Sequence, residues 1–245
     1  MSGVAITDRD VAGETGETRS AGAGAGAVVS AGAVASGGSG ASAGVPDTPD
    51  KATLRHAALA RRKLTSSEER IEAGHALVTA MPQSLAQIAK PHAVVAAYVS
   101  MGTEIETRPL LDWLLARECT VLVPKLGSGL EIGWSVLQSM EALHAVDGHG
   151  HLRPDEPDSR VLPPDALAQA DMVFAPALGV DQRGYRLGRG AGWYDRALAA
   201  RRQGCPLIAI CWPWEVLKGD LPTEPHDVPA NAVLTPHGYH LFTVQ

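Results

Sequence analysis

One short segment concentrates residues that can bind an anion. Residues 186–196 read RLGRGAGWYDR, with glycine at positions 188, 190 and 192. Glycine lets a backbone come close to a ligand, so its N–H groups can reach phosphate oxygens, while Arg183, Arg186 and Arg189 supply positive charge. The segment matches neither G-x-x-x-x-G-K-[ST] nor G-x-G-x-x-G, which excludes a P-loop and a Rossmann fingerprint. It predicts a phosphate-binding loop of another kind.

A carboxylate stands three residues after the last glycine. Asp195 would repel a bound phosphate, and a divalent cation between the two groups would remove that conflict, as Mg²⁺ does in nucleotide sites. In the alternative, Asp195 only complements a helix N-terminus while the arginines are solvated. Three glycines beside several arginines favour the metal-binding interpretation.

Other polar groups admit a simpler explanation. His144, Asp147, His149 and His151 could bind a metal, but their spacing fits no zinc pattern, and a Gly-rich polar loop is the preferred interpretation. The tryptophans outside the glycine-rich segment are expected in the core or in a pocket wall: Trp113, Trp134, Trp212 and Trp214.

The elements around these residues alternate between strand and helix. Residues 51–81 predict two helices broken near Thr65, with a capping box from Ser66 to Glu69. Apolar runs at 93–100 and 119–125 flank a helical leucine pattern, which gives strand, helix and strand. Residues 127–165 predict a connection or small insertion with a possible strand at 130–137.

The alternation resumes in the last third of the chain. We expect a buried strand at 170–178, a helix at 192–204, a strand at 206–212, and short final strands at 231–236 and 240–244. The fold class is therefore α/β: a single three-layer domain with a mostly parallel central sheet and helices on both faces. The glycine-rich segment then lies at the carboxyl edge of the sheet, where a helix N-terminus favours an anion.

Composition restricts the remaining possibilities. Residues 1–49 are dominated by Ala, Gly, Ser and Thr and predict a disordered tail, so the α/β domain is expected to span 50–245. Acidic residues in the first twenty positions and the lack of a long apolar run argue against a signal, a transit peptide or a membrane span, which favours a cytoplasmic protein. A net charge of −6 argues against nucleic acid as a partner. The three cysteines are expected to be reduced.

A family resemblance begins at the glycine-rich segment. The stretch PALGVDQRGYRLGRGAGWYDR resembles the signature P-G-L-x-F-D-x-x-G-x-R-L-G-R-G-x-G-Y-Y-D of the 5-formyltetrahydrofolate cyclo-ligase (5,10-methenyltetrahydrofolate synthetase) family. The segments KATLRHAALARRKLTSSEER, AAYVSMGTEIET, TVLVPKL and EPHDVPANAVLTP resemble other parts of that family in the same order. The similarity covers about residues 51 to 238.

The resemblance implies a role for individual residues. Lys51 and Arg55, one helical turn apart, would reach the ATP phosphates, and Arg189 would join them in catalysis. The loop would wrap the triphosphate through Arg186, Leu187, Gly188, Arg189, Gly190, Ala191, Gly192, Trp193 and Tyr194. Asp195 and Asp227 would hold Mg²⁺, although Asp227 by itself would be a turn residue. Val99, Glu104 and Trp193 would contact the folate.

The chain departs from the family pattern at a few positions. Trp193 replaces the first tyrosine of Y-Y-D, which keeps an aromatic face but changes its polar end. Ala177, Ala191 and Asn231 also differ from the residues most frequent there. None of these changes removes a charged group that the resemblance assigns to catalysis.

The implied reaction is the ATP- and Mg²⁺-dependent conversion of 5-formyltetrahydrofolate to 5,10-methenyltetrahydrofolate by a monomer, with release of ADP and phosphate. Three other functions remain open at this point. They are an enzyme for another phosphorylated substrate, such as a sugar-phosphate isomerase, a noncatalytic nucleotide sensor, and an RNA-binding module. The acidic total and the few aromatics disfavour the last of these.

Overall fold

The computed structural model describes residues 49–126, 132–147 and 153–243. Its α-helices are α1 (Lys51–Arg62), α2 (Ser67–Thr79), α3 (Gln83–Ile88), α4 (Arg108–Ala116) and α5 (Trp193–Leu198), with 3-10 helices at Met140–Ala142, Pro164–Gln169 and Pro213–Glu215. No helix in these ranges has the length and apolar character of a membrane span. The predicted tail, apart from Pro49, lies outside the described residues, as do His149 and His151.

The strands of the main sheet lie in segments that the sequence predicts as strands, and two short pairs of strands outside it were not predicted. They are β1 (Val94–Ala96), β2 (Thr120–Leu126), β3 (Ile132–Leu137), β4 (Leu143–His144), β5 (Glu156–Pro157), β6 (Met172–Pro176), β7 (Gly179–Val180), β8 (Arg186–Leu187), β9 (Leu207–Ile210), β10 (Ala232–Thr235) and β11 (Gly238–Leu241). Seven of them form one sheet in the order β11-β10-β9-β6-β1-β2-β3. The neighbours from β10 to β2 are parallel, and β3 and β11 close the two edges in antiparallel pairing. The predicted mostly parallel sheet is confirmed.

Consecutive strand residues enter two separate cores. Phe174 packs on the face covered by α2, α3 and α4, whereas Val173 packs on the opposite face with Leu198 of α5 and Leu167 of a 3-10 helix. Side chains alternate across a strand, and a sheet covered on both faces therefore needs apolar residues at every position. All four residues of β9 are buried, as this arrangement requires. The predicted three-layer architecture is confirmed.

The direction of strand addition reverses beside β1. The chain runs from β1 through α4 to β2 on one side, and it later returns to β6 on the other side of β1. Ligands of open α/β sheets bind outside the carboxyl ends of the strands at such a reversal. The crevice between the segments that follow Ala96 and Pro176 is therefore the expected ligand site.

Caps fix the first two helices. Asp50 Oδ1 accepts a hydrogen bond from Thr53 N at 2.7 Å, which starts α1 at Lys51. The break near Thr65 and the capping box of Ser66 are confirmed, since Ser66 Oγ accepts from Glu69 N and Glu69 Oε2 accepts from Ser66 N. The start of α1 therefore places Lys51 in the first turn of the helix.

The strand predicted at 93–100 pairs only as β1. Beyond Ala96 the chain bends across the end of the sheet, where Thr107 Oγ1 donates to Tyr98 O and accepts from Ser100 N. These hydrogen bonds take the place of backbone hydrogen bonds to a neighbouring strand, and they turn the segment toward the crevice. The bend keeps Tyr98 and Val99 buried.

The helix predicted at 192–204 ends at Leu198 and continues as tight turns. Arg202 donates to Ala170 O and Asp171 Oδ1, and these tertiary bonds hold the segment away from a helical path. The antiparallel pair of β7 and β8, which precedes the glycine loop, was not predicted. The last strand is β11, which starts two residues before the predicted segment 240–244.

Candidate active site

A cavity of about 330 Å³ opens at the reversal point of the sheet. The segment after β1 contributes Tyr98, Val99 and Glu104 to its wall, and the segment after β6 contributes Ala177 and Leu178. Other parts of the wall are the glycine loop, residues of α1 and the segment 224–227. The volume lies in the range of small-molecule sites, at the place where the topology predicts one.

The glycine loop follows β8 and adopts backbone angles that favour glycine. Gly190 has φ +105° and Gly192 has φ +61°, and Gly192 directly precedes α5. Arg55 Nε donates to Gly188 O at 2.8 Å, and Arg196 Nη1 donates to Ala191 O at 3.1 Å. Two arginines from helices therefore hold the loop at the cavity.

Arg186 lies at the base of the loop with its side chain only 3% exposed. Its Nη2 atom is 3.1 Å from Asp195 Oδ1, while its Nε atom is buried without a hydrogen-bond partner. Burial lowers the pKa of Arg186, and the charge of Asp195 acts against this shift. A buried guanidinium with an unused N–H suits an anionic ligand.

Lys51 forms ion pairs with the chain's carboxyl-terminal part at the cavity wall. Its Nζ atom is 2.8 Å from Asp227 Oδ2 and 3.4 Å from Glu224 Oε1. Burial alone would disfavour the ammonium, but hydrogen bonds and charge from Asp227 and then Glu224 raise the pKa of Lys51. Burial likewise opposes ionisation of Asp227, yet Lys51 keeps the pKa of this carboxylate below its ordinary value. Both groups are charged at neutral pH.

Glu104 connects the segment after β1 to the loop. Its Oε1 atom accepts from Arg189 Nε at 3.1 Å and its Oε2 atom from Met101 N at 3.0 Å, with 5% of the side chain exposed. Burial, and then the charge of Glu104, raises the pKa values of Tyr98 and Tyr194 well above ordinary. Both phenols therefore stay neutral beside the carboxylate.

Aromatic rings form another part of the wall. Trp193 packs edge-on against Tyr194 at 4.3 Å between ring centroids and lies 5.5 Å from the buried Trp134. Trp134 and Trp212 are core residues, and Trp212 stacks on Trp214. Of these rings, those of Trp193 and Tyr194 line the cavity.

The structure brings the predicted site residues together at this cavity, except Leu187. Leu187 follows Arg186 in β8, and consecutive strand residues point to opposite sides. Its side chain is 2% exposed and packs with Leu178 and Leu221. The prediction that Leu187 contacts the nucleotide is not supported by this placement.

Arg183, expected to add charge to the loop, has another role. Its Nη2 atom donates to Asp181 Oδ2 at 2.7 Å and to Leu221 O at 2.8 Å. Its guanidinium carbon lies 5.0 Å from the Tyr185 ring centroid. These contacts hold Arg183 outside the cavity wall. His144 belongs to the alternative metal site considered in the sequence analysis. In the structure its side chain pairs with Asp158.

The cavity also contains residues that the sequence reasoning missed. Arg62 lies in the wall, and it follows Lys51 and Arg55 at spacings that place all three on one helix face. That spacing could have identified it. The other missed residues in the wall include Tyr98, Met101, Glu224 and His226.

Asp195 and Asp227 both line the cavity and provide carboxylate oxygens, the donor type that Mg²⁺ prefers. Within the described ranges, no cluster of three or more His, Cys, Asp or Glu residues could hold a metal by itself. Magnesium at nucleotide sites commonly binds one or two carboxylates together with substrate phosphates. The donor set therefore fits a metal held jointly with a phosphorylated ligand.

Comparison with known proteins agrees with the site. A model of the 5-formyltetrahydrofolate cyclo-ligase family matches residues 47–236. A 5-formyltetrahydrofolate cyclo-ligase from Mycolicibacterium smegmatis is 37% identical over 191 residues, covering 76% of this chain and 93% of the relative. The protein of that name from Escherichia coli K12 is 28% identical over 182 residues, covering 72% and 94%.

Solved structures give the same result for the fold. The NMR structure of 5,10-methenyltetrahydrofolate synthetase from Aquifex aeolicus matches with a TM-score of 0.62 and 26% identity, covering 78% of this chain and 92% of that chain. The family match includes the glycine loop, Lys51, Glu104 and Asp227. The chain therefore belongs to the 5-formyltetrahydrofolate cyclo-ligase family of enzymes.

Proposed function

We propose that the protein converts 5-formyltetrahydrofolate to 5,10-methenyltetrahydrofolate, using ATP and Mg²⁺ and releasing ADP and phosphate. The observation that carries the proposal is one cavity with a cationic wall and a wall of buried polar and aromatic groups. The cationic wall suits a triphosphate, and the other wall suits a folate ring. Family membership supports the same substrate class.

The cationic wall supplies charge and backbone donors for the nucleotide. Lys51 and Arg55 come from α1, and Arg186 and Arg189 come from β8 and the loop. Phosphoryl transfer requires mainly alignment and neutralisation of charge, and this chemistry needs no Ser-His-Asp or Cys-His set. Helix α5 has only six residues, so its dipole contributes little. The arginines and loop amides therefore provide most of the charge neutralisation.

Asp195 and Asp227 would hold Mg²⁺ together with the phosphates. The metal would supply positive charge to the phosphate oxygens when bound. Both carboxylates point to the wall that carries Lys51 and Arg186, which keeps the donors and the cations in one region. Their assignment rests on donor chemistry and on family resemblance.

The folate would contact Val99, Glu104 and Trp193. Glu104 offers a fixed, buried carboxylate to polar edges of the pterin ring, and Trp193 offers an aromatic face. Tyr98, neutral because of burial, adds a phenol beside Glu104. These groups would orient the ring so that its formyl oxygen faces the phosphate wall.

In the proposed reaction the formyl oxygen takes the terminal phosphoryl group of ATP, and ADP leaves. N10 then attacks the activated carbon and loses its proton to solvent, and the carbon–oxygen bond breaks to release phosphate and give the methenyl bridge. The chain's part is to bind both substrates, align them and neutralise charge. Removal from bulk water inside the cavity strengthens each of these contacts.

The test is absorbance of the methenyl product from 5-formyltetrahydrofolate. We expect product only when ATP and Mg²⁺ are both present. Lys51→Met should abolish most turnover, whereas Lys218→Met, which removes an exposed lysine outside the cavity wall, should not. No methenyl product in the complete mixture would refute the proposal. A sugar-phosphate isomerase, a sensor or an RNA-binding module would each give that negative result.

The cytoplasmic location and monomeric state expected from the sequence stay predictions. The net charge of −6 supports a protein without a nucleic-acid partner. Size-exclusion chromatography at several concentrations tests the monomer.

A further inference from the structure

Besides Arg189, which pairs with Glu104, two cations of the proposed nucleotide wall already have aspartate partners. Lys51 Nζ lies 2.8 Å from Asp227 Oδ2, with 17% and 12% of the two side chains exposed. Arg186 Nη2 lies 3.1 Å from Asp195 Oδ1, with 3% and 24% exposed. A phosphate oxygen that approaches either cation must compete with a carboxylate.

The carboxylates in these pairs are the ones assigned to Mg²⁺ above. Each therefore has two alternative cationic partners, a side chain of the chain itself or the metal. We propose that Asp227 and Asp195 make nucleotide capture conditional on magnesium, because each occupies a phosphate-binding cation until the metal takes the carboxylate. This inference rests on the proposed function and identifies these two aspartates as determinants of selectivity for metal-bound over metal-free triphosphate.

Electrostatics gives the reason for the selectivity. A metal-free triphosphate that displaces Asp227 from Lys51 leaves a partly buried carboxylate unpaired beside its own negative charge. When the nucleotide arrives with Mg²⁺, the metal becomes the new partner of the carboxylate and the lysine is released to a phosphate. With the metal, Lys51 and the carboxylate of Asp227 would both keep a partner of opposite charge; without it, the carboxylate would lose its own.

Two details indicate that the existing pairs can be exchanged. Arg186 Nε is buried without a hydrogen-bond partner, so Asp195 satisfies only part of this guanidinium, and a phosphate oxygen would satisfy the rest. Lys51 has a second acceptor in Glu224, whose side chain is 55% exposed. Breaking this exposed ion pair costs little free energy. Neither cation is locked in a complete set of partners.

The experiment is isothermal titration calorimetry of the full chain with ATP, once with EDTA and once with excess MgCl₂. For the wild type we expect clearly tighter binding with magnesium. Asp227→Asn should raise the affinity for metal-free ATP by about tenfold and reduce the benefit of magnesium. Asp195→Asn should shift both quantities in the same direction by freeing Arg186. Thermal melts verify that each variant is folded.

The Lys51→Met variant distinguishes two explanations for tighter binding of metal-free ATP. One is release of the lysine by Asp227, and the other is loss of repulsion between Asp227 and the phosphates. In Lys51→Met the lysine that Asp227 would release is gone, so adding Asp227→Asn should give no gain in metal-free affinity. Asp220→Asn is the matched control, because it removes one negative charge from an exposed residue that pairs with Arg183 outside the cavity wall. We expect it to change neither titration.

The outcomes are distinct. Unchanged or weaker metal-free binding in both aspartate variants overturns the inference, as does a gain that persists in Lys51→Met. If the wild type binds ATP under neither condition, the proposed function itself fails and the inference with it.

Discussion

Among single residues, the pair of Arg62 and Glu215 shows how a buried charge can serve the site indirectly. Arg62 Nε and Nη2 donate to the two carboxylate oxygens at 2.7 Å each, and both side chains are 2% exposed. Arg62 Nη2 also donates to Ala177 O, and Trp212 N donates to Glu215 Oε2. The pair therefore joins α1 to the segments that follow β6 and β9, at the cavity wall.

Arg62→Met tests the energetic weight of this pair. Removal of one partner leaves a buried carboxylate, so the free energy of unfolding at neutral pH should fall by about 3–5 kcal/mol. Arg61→Met is the control on the same helix. Arg61 is exposed, and its guanidinium packs over the Trp214 ring. The free energy of unfolding should therefore fall by about 1 kcal/mol or less in Arg61→Met.

The loss in Arg62→Met should also depend on pH. Burial raises the pKa of Glu215, and Arg62 opposes that rise, so removing Arg62 should raise the folded-state pKa further. A carboxyl group with a raised folded-state pKa contributes most stability below its unfolded-state pKa and loses it as pH rises through the folded-state pKa. The difference from wild type should therefore be larger at pH 8 than at pH 5 in urea denaturation. Equal differences at both values would contradict this explanation.

Among the elements, the glycine loop depends on backbone angles at particular positions. Gly190 has φ +105°, where residues with a Cβ atom are strained, whereas Gly188 lies outside the positive-φ region. An added Cβ would meet nothing within 4 Å at Gly188, while at Gly190 the Arg55 guanidinium lies 3.5 Å away in ordinary contact. The strain at Gly190 thus comes from the backbone rather than from crowding.

Alanine at the two positions should therefore have different effects. Gly190→Ala should lower the free energy of unfolding by about 1–3 kcal/mol, or distort the loop and weaken ATP binding. Gly188→Ala, the matched control, should leave the free energy of unfolding within about 0.5 kcal/mol of wild type. Urea denaturation and ATP titration measure both effects. Equal behaviour of the two variants would show that the loop does not require a positive φ at residue 190.

Local signals predicted many elements, and long-range contacts decided the rest. The capping box of Ser66 and the apolar runs of the strands are visible within a few residues, so α1, α2, α4 and the main sheet were predicted, whereas the short helix α3 was not. The early end of α5 depends on Arg202 bonding to Ala170 and Asp171, which lie about thirty positions away. The partner of Arg62 lies 153 positions away, so neither contact could be inferred from spacing.

At the scale of the whole molecule, the site combines the two ends of the folded region. Lys51 lies in the first turn of α1, and its partner Asp227 stands 176 positions later, just before β10. Leu54 and Leu59 of α1 pack with Leu187 and Leu221, which fixes the helix beside the hairpin of β7 and β8. The cavity therefore depends on contacts between segments far apart in sequence.

Removal of residues 1–48 tests where the functional chain begins. The family match starts at residue 47, and Asp50 caps α1, so a chain that starts at Pro49 keeps the complete helix. We expect turnover within about twofold of the full chain and an unchanged melting temperature. Removal of residues 1–52 is the contrasting variant, because it takes both Asp50 and Lys51. Loss of most turnover in the first deletion would contradict the prediction.

The distance between Lys51 and Asp227 along the chain has a consequence for biosynthesis. A ribosome releases α1 long before it adds the segment that carries Asp227 and the strand β10 that follows. An incomplete polypeptide that stalls before that segment lacks Glu224, His226 and Asp227 from the cavity wall. The cavity is therefore complete only after synthesis has passed Asp227.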